Sequence, residues 1–281
     1  MTILITAATG TVGRALTGYL SDVGEPVRAL VRDRERAREL LPDTVELVPG
    51  DFADPDSIAA AMRGVRQVFL AAPNHPDQVA WEVAVIDAAH AAGVRRIVKL
   101  SAHGAQPASE VAFWAAHAAI EDRLAGSGLD WVSLRPTTYA TTALGGFDGT
   151  VLAAPAAGAR ISFIDPDDVA SVAAAVLSDP HRQGVLTLTG PAVRDFGEVA
   201  AVLSGLVGRK VPFVPVPDDA ARAAFTEMGL PAWYADNVVR VFGALRAGVA
   251  DLTTDTVQQI TGRPARPLAE ALAGRLGVPA R

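Results

Sequence analysis

The 281-residue chain has no cysteine at all, which removes disulfides, thiolate metal sites and cysteine nucleophiles from consideration. A reducing, cytoplasmic setting fits that absence. Long apolar runs are missing too: each stretch is broken by Asp, Glu, His or Gly before it could span a bilayer, so no membrane partner is expected. The opening "MTILITAATG" has no basic segment and runs straight into a strand pattern, as a folded N-terminus does and a signal peptide does not. Net charge is −6 with the arginines scattered, which argues against a nucleic-acid-binding surface. There is no internal repeat, heptad run or low-complexity tract. Metal-ligand spacing is also lacking. His75, His90 and His181 are dispersed, and Asp165, Asp167 and Asp168 in "IDPDDVA" read first as a cap in front of a helix. Ser101 has no nucleophile-elbow context, so a hydrolase triad is not expected.

What the chain does have is an alternation of short apolar strands and helices. Strands are expected over Thr2–Thr6, Pro26–Arg32, Val45–Asp51, Gln67–Pro73, Arg95–Ser101 and Asp130–Pro136. Helices are expected between them, including residues 76–92 and 109–125. This rhythm predicts an α/β fold with a Rossmann-type, doubly wound parallel sheet. Beyond Pro136 the rhythm loosens into a Gly/Ala/Thr/Pro-rich stretch, a helix after "IDPDDVA", one more strand "GVLTLTG" and a mostly helical tail. The expected division is a nucleotide-binding domain over residues 1–150, followed by residues 151–281, which complete the sheet and form a small, mainly helical substrate lobe.

The first strand runs into "ITAATGTVGRAL". Gly10 and Gly13 hold the second and third places of a G-x-x-G-x-x-G turn, with Ala7 at the first. The first place shapes the turn, the second admits the pyrophosphate to the backbone, and the third permits close helix packing. Ala7 is harmless there if its φ is negative; a positive φ would cost roughly 1 kcal/mol. Thr6, Ala7, Thr9, Gly10, Thr11, Val12 and Gly13 are therefore the candidate phosphate cradle. The second strand ends in "LVRDR", where Arg32 is the natural partner of a 2′-phosphate and an inward Asp33 would favour a ribose hydroxyl. Preference for NADP(H) over NAD(H) is expected. Asp51 and Phe52 follow the third strand at the adenine position, and Ala71, Ala72 and Pro73 follow the fourth, where small residues admit a ribose.

"ITAATGTVG", "ALVRD", "GDFADPDSI", "IVKLSAHGA", "AAIEDRLAGSGLDWVSLRP", "ISFIDPDDVASVAAAVL" and "TLTGPAVRDFGEVA", in that order, resemble the NmrA-like branch of the atypical short-chain dehydrogenases/reductases over almost the whole chain. The resemblance implies a Rossmann domain with a small C-terminal lobe. It also implies either an NAD(P)H-dependent quinone or enone reductase or a protein that senses the dinucleotide without catalysis.

Ordinary short-chain reductases carry a serine after the fifth strand and a Tyr-x-x-x-Lys in the next helix, the tyrosine being the acid. Ser101 matches the serine; the pair is replaced by Phe113 and His117. Phenylalanine donates no proton, so the acceptor best suited to this chain is a quinone-like or conjugated carbonyl compound that draws the hydride itself. His117 could hold the nicotinamide ribose or relay a proton, and His103 and Tyr139 are further candidate donors. Phe113, Thr138 and Tyr139 are the candidate substrate wall. The expected activity is that of an NAD(P)H-dependent oxidoreductase on a small molecule, with a redox sensor or a redox-neutral isomerase or cyclase as alternatives. Helices near 81–92 and 111–119 are apolar on more faces than a surface helix needs, which suits either burial or a homodimer seam.

Overall fold

The computed structural model describes residues 2–279. The strands and helices first alternate as β1 (Thr2–Ile5), α1 (Thr11–Asp22), β2 (Val27–Val31), α2 (Arg34–Leu40), β3 (Glu46–Pro49), α3 (Pro55–Ala61), β4 (Val65–Leu70), α4 (Gln78–Ala91), β5 (Arg96–Leu100), α5 (Ala112–Ala125) and β6 (Asp130–Pro136). They continue as α6 (Ala140–Leu144), β7 (Leu152–Ala154), β8 (Ile161–Ser162), α7 (Pro166–Ser178), β9 (Gly184–Leu188), β10 (Val193–Arg194) and α8 (Phe196–Val207). β11 (Phe213–Pro215), α9 (Asp218–Glu227), α10 (Ala232–Arg246), α11 (Thr256–Thr261) and α12 (Leu268–Leu276) complete the chain.

A seven-stranded sheet runs in the order β3-β2-β1-β4-β5-β6-β9. Every register from β3 across to β6 is parallel. The expected Rossmann-type architecture is therefore present, and strand order reverses between β1 and β4. Ligands of such sheets bind at the carboxyl edge beside that switch point. β4 ends at Leu70, short of the expected Pro73, for a local reason. The Thr6 hydroxyl donates to the Ala71 carbonyl (2.7 Å) and accepts from the Ala71 N–H (2.8 Å), diverting both from the ladder. α5 likewise starts at Ala112, because the Ser109 hydroxyl takes the Val111 N–H in a turn ahead of the helix.

The chain forms two compact units. One contains the residues up to Ala108, Phe113–Arg135 and Val169–Leu186. Its core joins Leu4, Val68, Leu70 and Ile97 of the strands to Ile58, Ile86, Ile120 and Leu124 of the helices, all almost fully buried. Each such aliphatic side chain stabilises the fold by about 1.5–3 kcal/mol. The other unit contains Ser109–Ala112, Pro136–Asp168 and the chain from Thr187 onward. It packs Phe163 and Phe242 on Phe196 of α8, in one cluster with Leu268 and Leu272 of α12. Besides the expected helices it holds two small strand pairs, β10 with β8 and β11 with β7, which are too short for a period to be read in sequence. In the same unit Asp165 accepts from the Asp167 N–H ahead of α7, and Arg266 ion-pairs with both Asp165 (3.1 Å) and Asp167 (3.0 Å). Among the described residues no helix is long and apolar enough to cross a membrane.

Candidate functional site

Because β1 to β6 are parallel, the residues that follow β1, β2, β3, β4 and β5 share one edge of the sheet. The first of these segments is the turn from Thr6 to Gly13. Its geometry settles the question posed by the missing glycine: Ala7 has φ +48°, the only non-glycine residue with positive φ among the described residues. The alanine therefore occupies the left-handed region that its methyl disfavours. Gly13 is irreplaceable for a separate reason. A Cβ there would stand 2.4 Å from the Ala7 carbonyl oxygen and 2.9 Å from Ala8 Cα, so only glycine lets α1 start this close to β1. At Gly10 a Cβ would meet the same oxygen at 3.1 Å. Gly10 is the N-cap of α1 and supplies no side-chain cap, and the first turn holds no acid. The helix N-terminus thus keeps its amide groups for an outside anion. Thr9, Gly10 and Thr11 are exposed, Val12 is buried, and Thr6 is fully buried with its hydroxyl bonded to backbone at 69 and 71.

Arg32 is exposed just past β2. Asp33 is not turned inward: it is the N-cap of α2, its carboxylate accepting from the Arg36 N–H at 3.0 Å. Past β3, Asp51 accepts from the Ala53 N–H (2.9 Å), while Asp54 caps α3. Phe52 stacks on Trp81 of α4 with ring centroids 5.8 Å apart, and Trp81 stacks on His75 at 4.1 Å. Sequence reasoning missed this three-ring stack, since His75 and Trp81 lie far from Phe52 in the chain. Past β4, Ala71 is buried, Ala72 half-buried and Pro73 exposed, all small side chains.

Charge is concentrated beneath the end of β5. Lys99 and Glu82 are both completely buried and form an ion pair of 2.6 Å. The Lys99 ammonium also lies 3.2 Å from the Leu100 carbonyl and 3.2 Å from His117 Nδ1. Gln78, at the start of α4, donates to the other Glu82 oxygen at 2.9 Å. Burial, with the positive charges of Lys99 and Arg135, holds the His117 imidazole well below its ordinary pKa. Next to this group a second network ties α5 to β6, where Arg135 and the Ser133 hydroxyl both donate to Glu121. Burial alone would raise the Glu121 carboxyl, but hydrogen bonds from Arg135, Ser101 and Ser133 outweigh it and keep its pKa below the usual value. Ser101 itself is buried, and its Oγ closes no hydrogen bond of normal geometry; Gln78 Oε1 is in the same condition. Sequence reasoning named Ser101 and His117 but missed Lys99, Glu82, Gln78 and Glu121. The available signal was a charge at a core position: Lys99 in "RRIVKLS", and Glu82 in "AWEVAVIDAA".

Of the other expected residues, Phe113 is buried in the first turn of α5. His103 is half-buried on the loop after β5, where Gly104 is packed so closely on the Trp114 ring that a Cβ would overlap it at 2.2 Å. Thr138 and Tyr139 belong to the second unit; the Thr138 carbonyl accepts from the Ile164 N–H, and Tyr139 is the N-cap of α6. Burial pushes the Tyr139 phenol well above its ordinary pKa, so it keeps its proton.

An uncapped helix N-terminus, a turn closed to any Cβ at Gly13, small residues past β4 and the buried Gln78 Oε1 without a partner together fit a bound dinucleotide. The fold and this edge define a nucleotide-binding protein of the Rossmann class. Residues 7–180 match the NAD(P)H-binding family, and the chain belongs to it, as the NmrA-like resemblance implied. It is 34% identical over 278 residues to an NAD(P)H azoreductase of Xenophilus azovorans, covering 95% of this chain and 96% of the relative. It is 36% identical over 273 residues to a (4-alkanoyl-5-oxo-2,5-dihydrofuran-3-yl)methyl phosphate reductase of Streptomyces griseus, covering 94% of each. The NADPH complex of the Escherichia coli quinone oxidoreductase QOR2 superposes with a TM-score of 0.87 at 26% identity, over 98% of this chain and 99% of that one.

Proposed function

We propose that the protein is an NADPH-dependent reductase that delivers hydride to a small, conjugated, electron-poor carbonyl compound, quinone-like or enone. One observation supports this reading: the α1 N-terminus is left without a side-chain cap and Gly13 packs against the turn, while the first turn of α5 buries Phe113, a side chain with no proton to give, so an acceptor that needs no enforced protonation suits it. The relatives named for an azo compound, a dihydrofuran phosphate and a quinone support an unsaturated acceptor. When bound, the nicotinamide supplies the hydride. The chain's own work is to hold and screen: the α1 N-terminus takes the pyrophosphate, Ser101 and His117 take oxygens of the bound molecules, and Phe113 excludes water. Preference for NADPH is supported at the end of β2, where Asp33 is committed to capping α2 and Arg32 is exposed.

The test is NADPH oxidation across a panel of quinones and conjugated enones. Turnover on at least one class, with simple ketones inert, is the expected result. A folded protein that binds NADPH yet oxidises none on any of them would overturn the reading in favour of a nucleotide sensor. In calorimetric titrations NADPH should bind more tightly than NADH, and Arg32→Ala should narrow that gap by roughly tenfold, the effect of losing a charge-assisted pair of about 1.4 kcal/mol. Equal affinity in the wild type contradicts the NADPH assignment.

A further inference from the structure

The buried ammonium of Lys99 stands beneath the site and contributes no surface to it. An ammonium group carries three hydrogens and no lone pair, so it can only donate. Around Lys99 Nζ stand three acceptors: Glu82 Oε2 at 2.6 Å, the Leu100 carbonyl at 3.2 Å and His117 Nδ1 at 3.2 Å. Each hydrogen of the ammonium has one place to go. The third acceptor is informative, because a ring nitrogen that accepts from an ammonium carries no hydrogen of its own. We infer that Lys99 is a positioning residue, which holds His117 as the neutral tautomer protonated at Nε2 and so makes it a fixed hydrogen-bond donor to the bound ligands and not the proton source.

Cations face the ring from two strands. β5 presents Lys99 and β6 presents Arg135, both cations. The carboxylates are engaged elsewhere: Glu82 of α4 with Lys99 and Gln78, and Glu121 of α5 with Arg135 and Ser133. Among the described residues, therefore, the ring meets two positive charges and holds no ion pair that would reward a third. Glu82 has a distinct part: its carboxylate is the countercharge of the fully buried ammonium.

Combined with the proposed function, on which this last consequence rests, the inference divides the labour of the reduction. A bound nicotinamide would supply the hydride to the acceptor's β-carbon, and the role of His117 would be to donate its Nε2–H to the oxygen on which the enolate charge collects. The enolate's proton comes from water, because a neutral imidazole N–H is far too weak an acid to release one.

The tautomer can be read without any turnover, by long-range proton–nitrogen NMR of the full-length, nitrogen-15-labelled protein. His117 would be assigned by the signals that vanish in His117→Gln. The expected spectrum has Nδ1 unprotonated and Nε2 protonated, with no titration of that ring between about pH 5 and 8. A protonated Nδ1, or a ring that titrates near its ordinary value of about 6.5, would overturn the inference. The double variant Lys99→Met with Glu82→Gln removes both charges together. In it the two tautomers should mix and titration should return toward the ordinary value; an unchanged ring in the folded variant would remove Lys99 from the account. The wild-type spectrum decides the tautomer even if that variant does not fold. Because no step of the measurement involves hydride transfer, a positive spectrum in a protein without reductase activity would reject the proposed function and keep the tautomer.

Discussion

At the scale of single residues the nucleotide turn is built under strain. Ala7 sits at φ +48° and Gly13 lies against its carbonyl, so the tight junction of β1 and α1 depends on both. Ala7→Gly relieves the left-handed alanine and should stabilise the fold by up to about 1 kcal/mol, measured as a higher denaturation midpoint with an unchanged slope. The opposite change is costly. Gly13→Ala forces a methyl to within 2.4 Å of backbone that has no side-chain freedom to yield, and should cost about 1–3 kcal/mol and weaken nucleotide binding. The glycine spacing was legible in the sequence because the three places of the turn have separate physical roles. The sign of φ at Ala7 was not, since it is fixed by how α1 docks and not by the alanine itself.

At the scale of elements, α4, β5 and α5 carry charges on faces that a hydrophobic pattern assigns to the core. Lys99 and Glu82 are fully buried, so either one alone would be an uncompensated charge. Lys99→Met by itself should therefore destabilise by about 3–5 kcal/mol, and adding Glu82→Gln should recover much of that loss, as a double-mutant cycle on urea unfolding would show. His117 adds a pH dependence. Its folded imidazole is held below the unfolded value by burial and by Lys99 and Arg135. Below about pH 6.5 the unfolded chain takes up a proton that the folded ring refuses, so acid favours unfolding. Stability should fall between pH 7 and 5 more steeply in the wild type than in His117→Asn, by chemical denaturation at each pH. The alternation of strands and helices through Pro136 could be read from residue types, and the helix caps Asp54 and Asp165 from their places before Pro. The pairing of residues 82, 99 and 117 could not, because it depends on which faces of three elements meet. Strands β7, β8, β10 and β11, of two or three residues each, were too short to leave a period.

At the scale of the whole molecule, the parallel sheet and its switch point place the ends of six strands along one edge, and the chain belongs to the NAD(P)H-binding family. The family was legible because its motifs follow the strand ends in order. The acceptor was not, since it is set by the shape of the site and not by any one motif. Hydride transfer to a conjugated carbonyl is best tested by following the hydride itself. The protein would be supplied with NADPH carrying deuterium at C4 of the nicotinamide, on each face in turn, together with a conjugated enone, and the product analysed by mass spectrometry. One deuterium on the carbon β to the carbonyl, from one face of the nucleotide only, is the predicted result. Nucleotide that binds yet keeps all of its deuterium with every acceptor tried would contradict the claim.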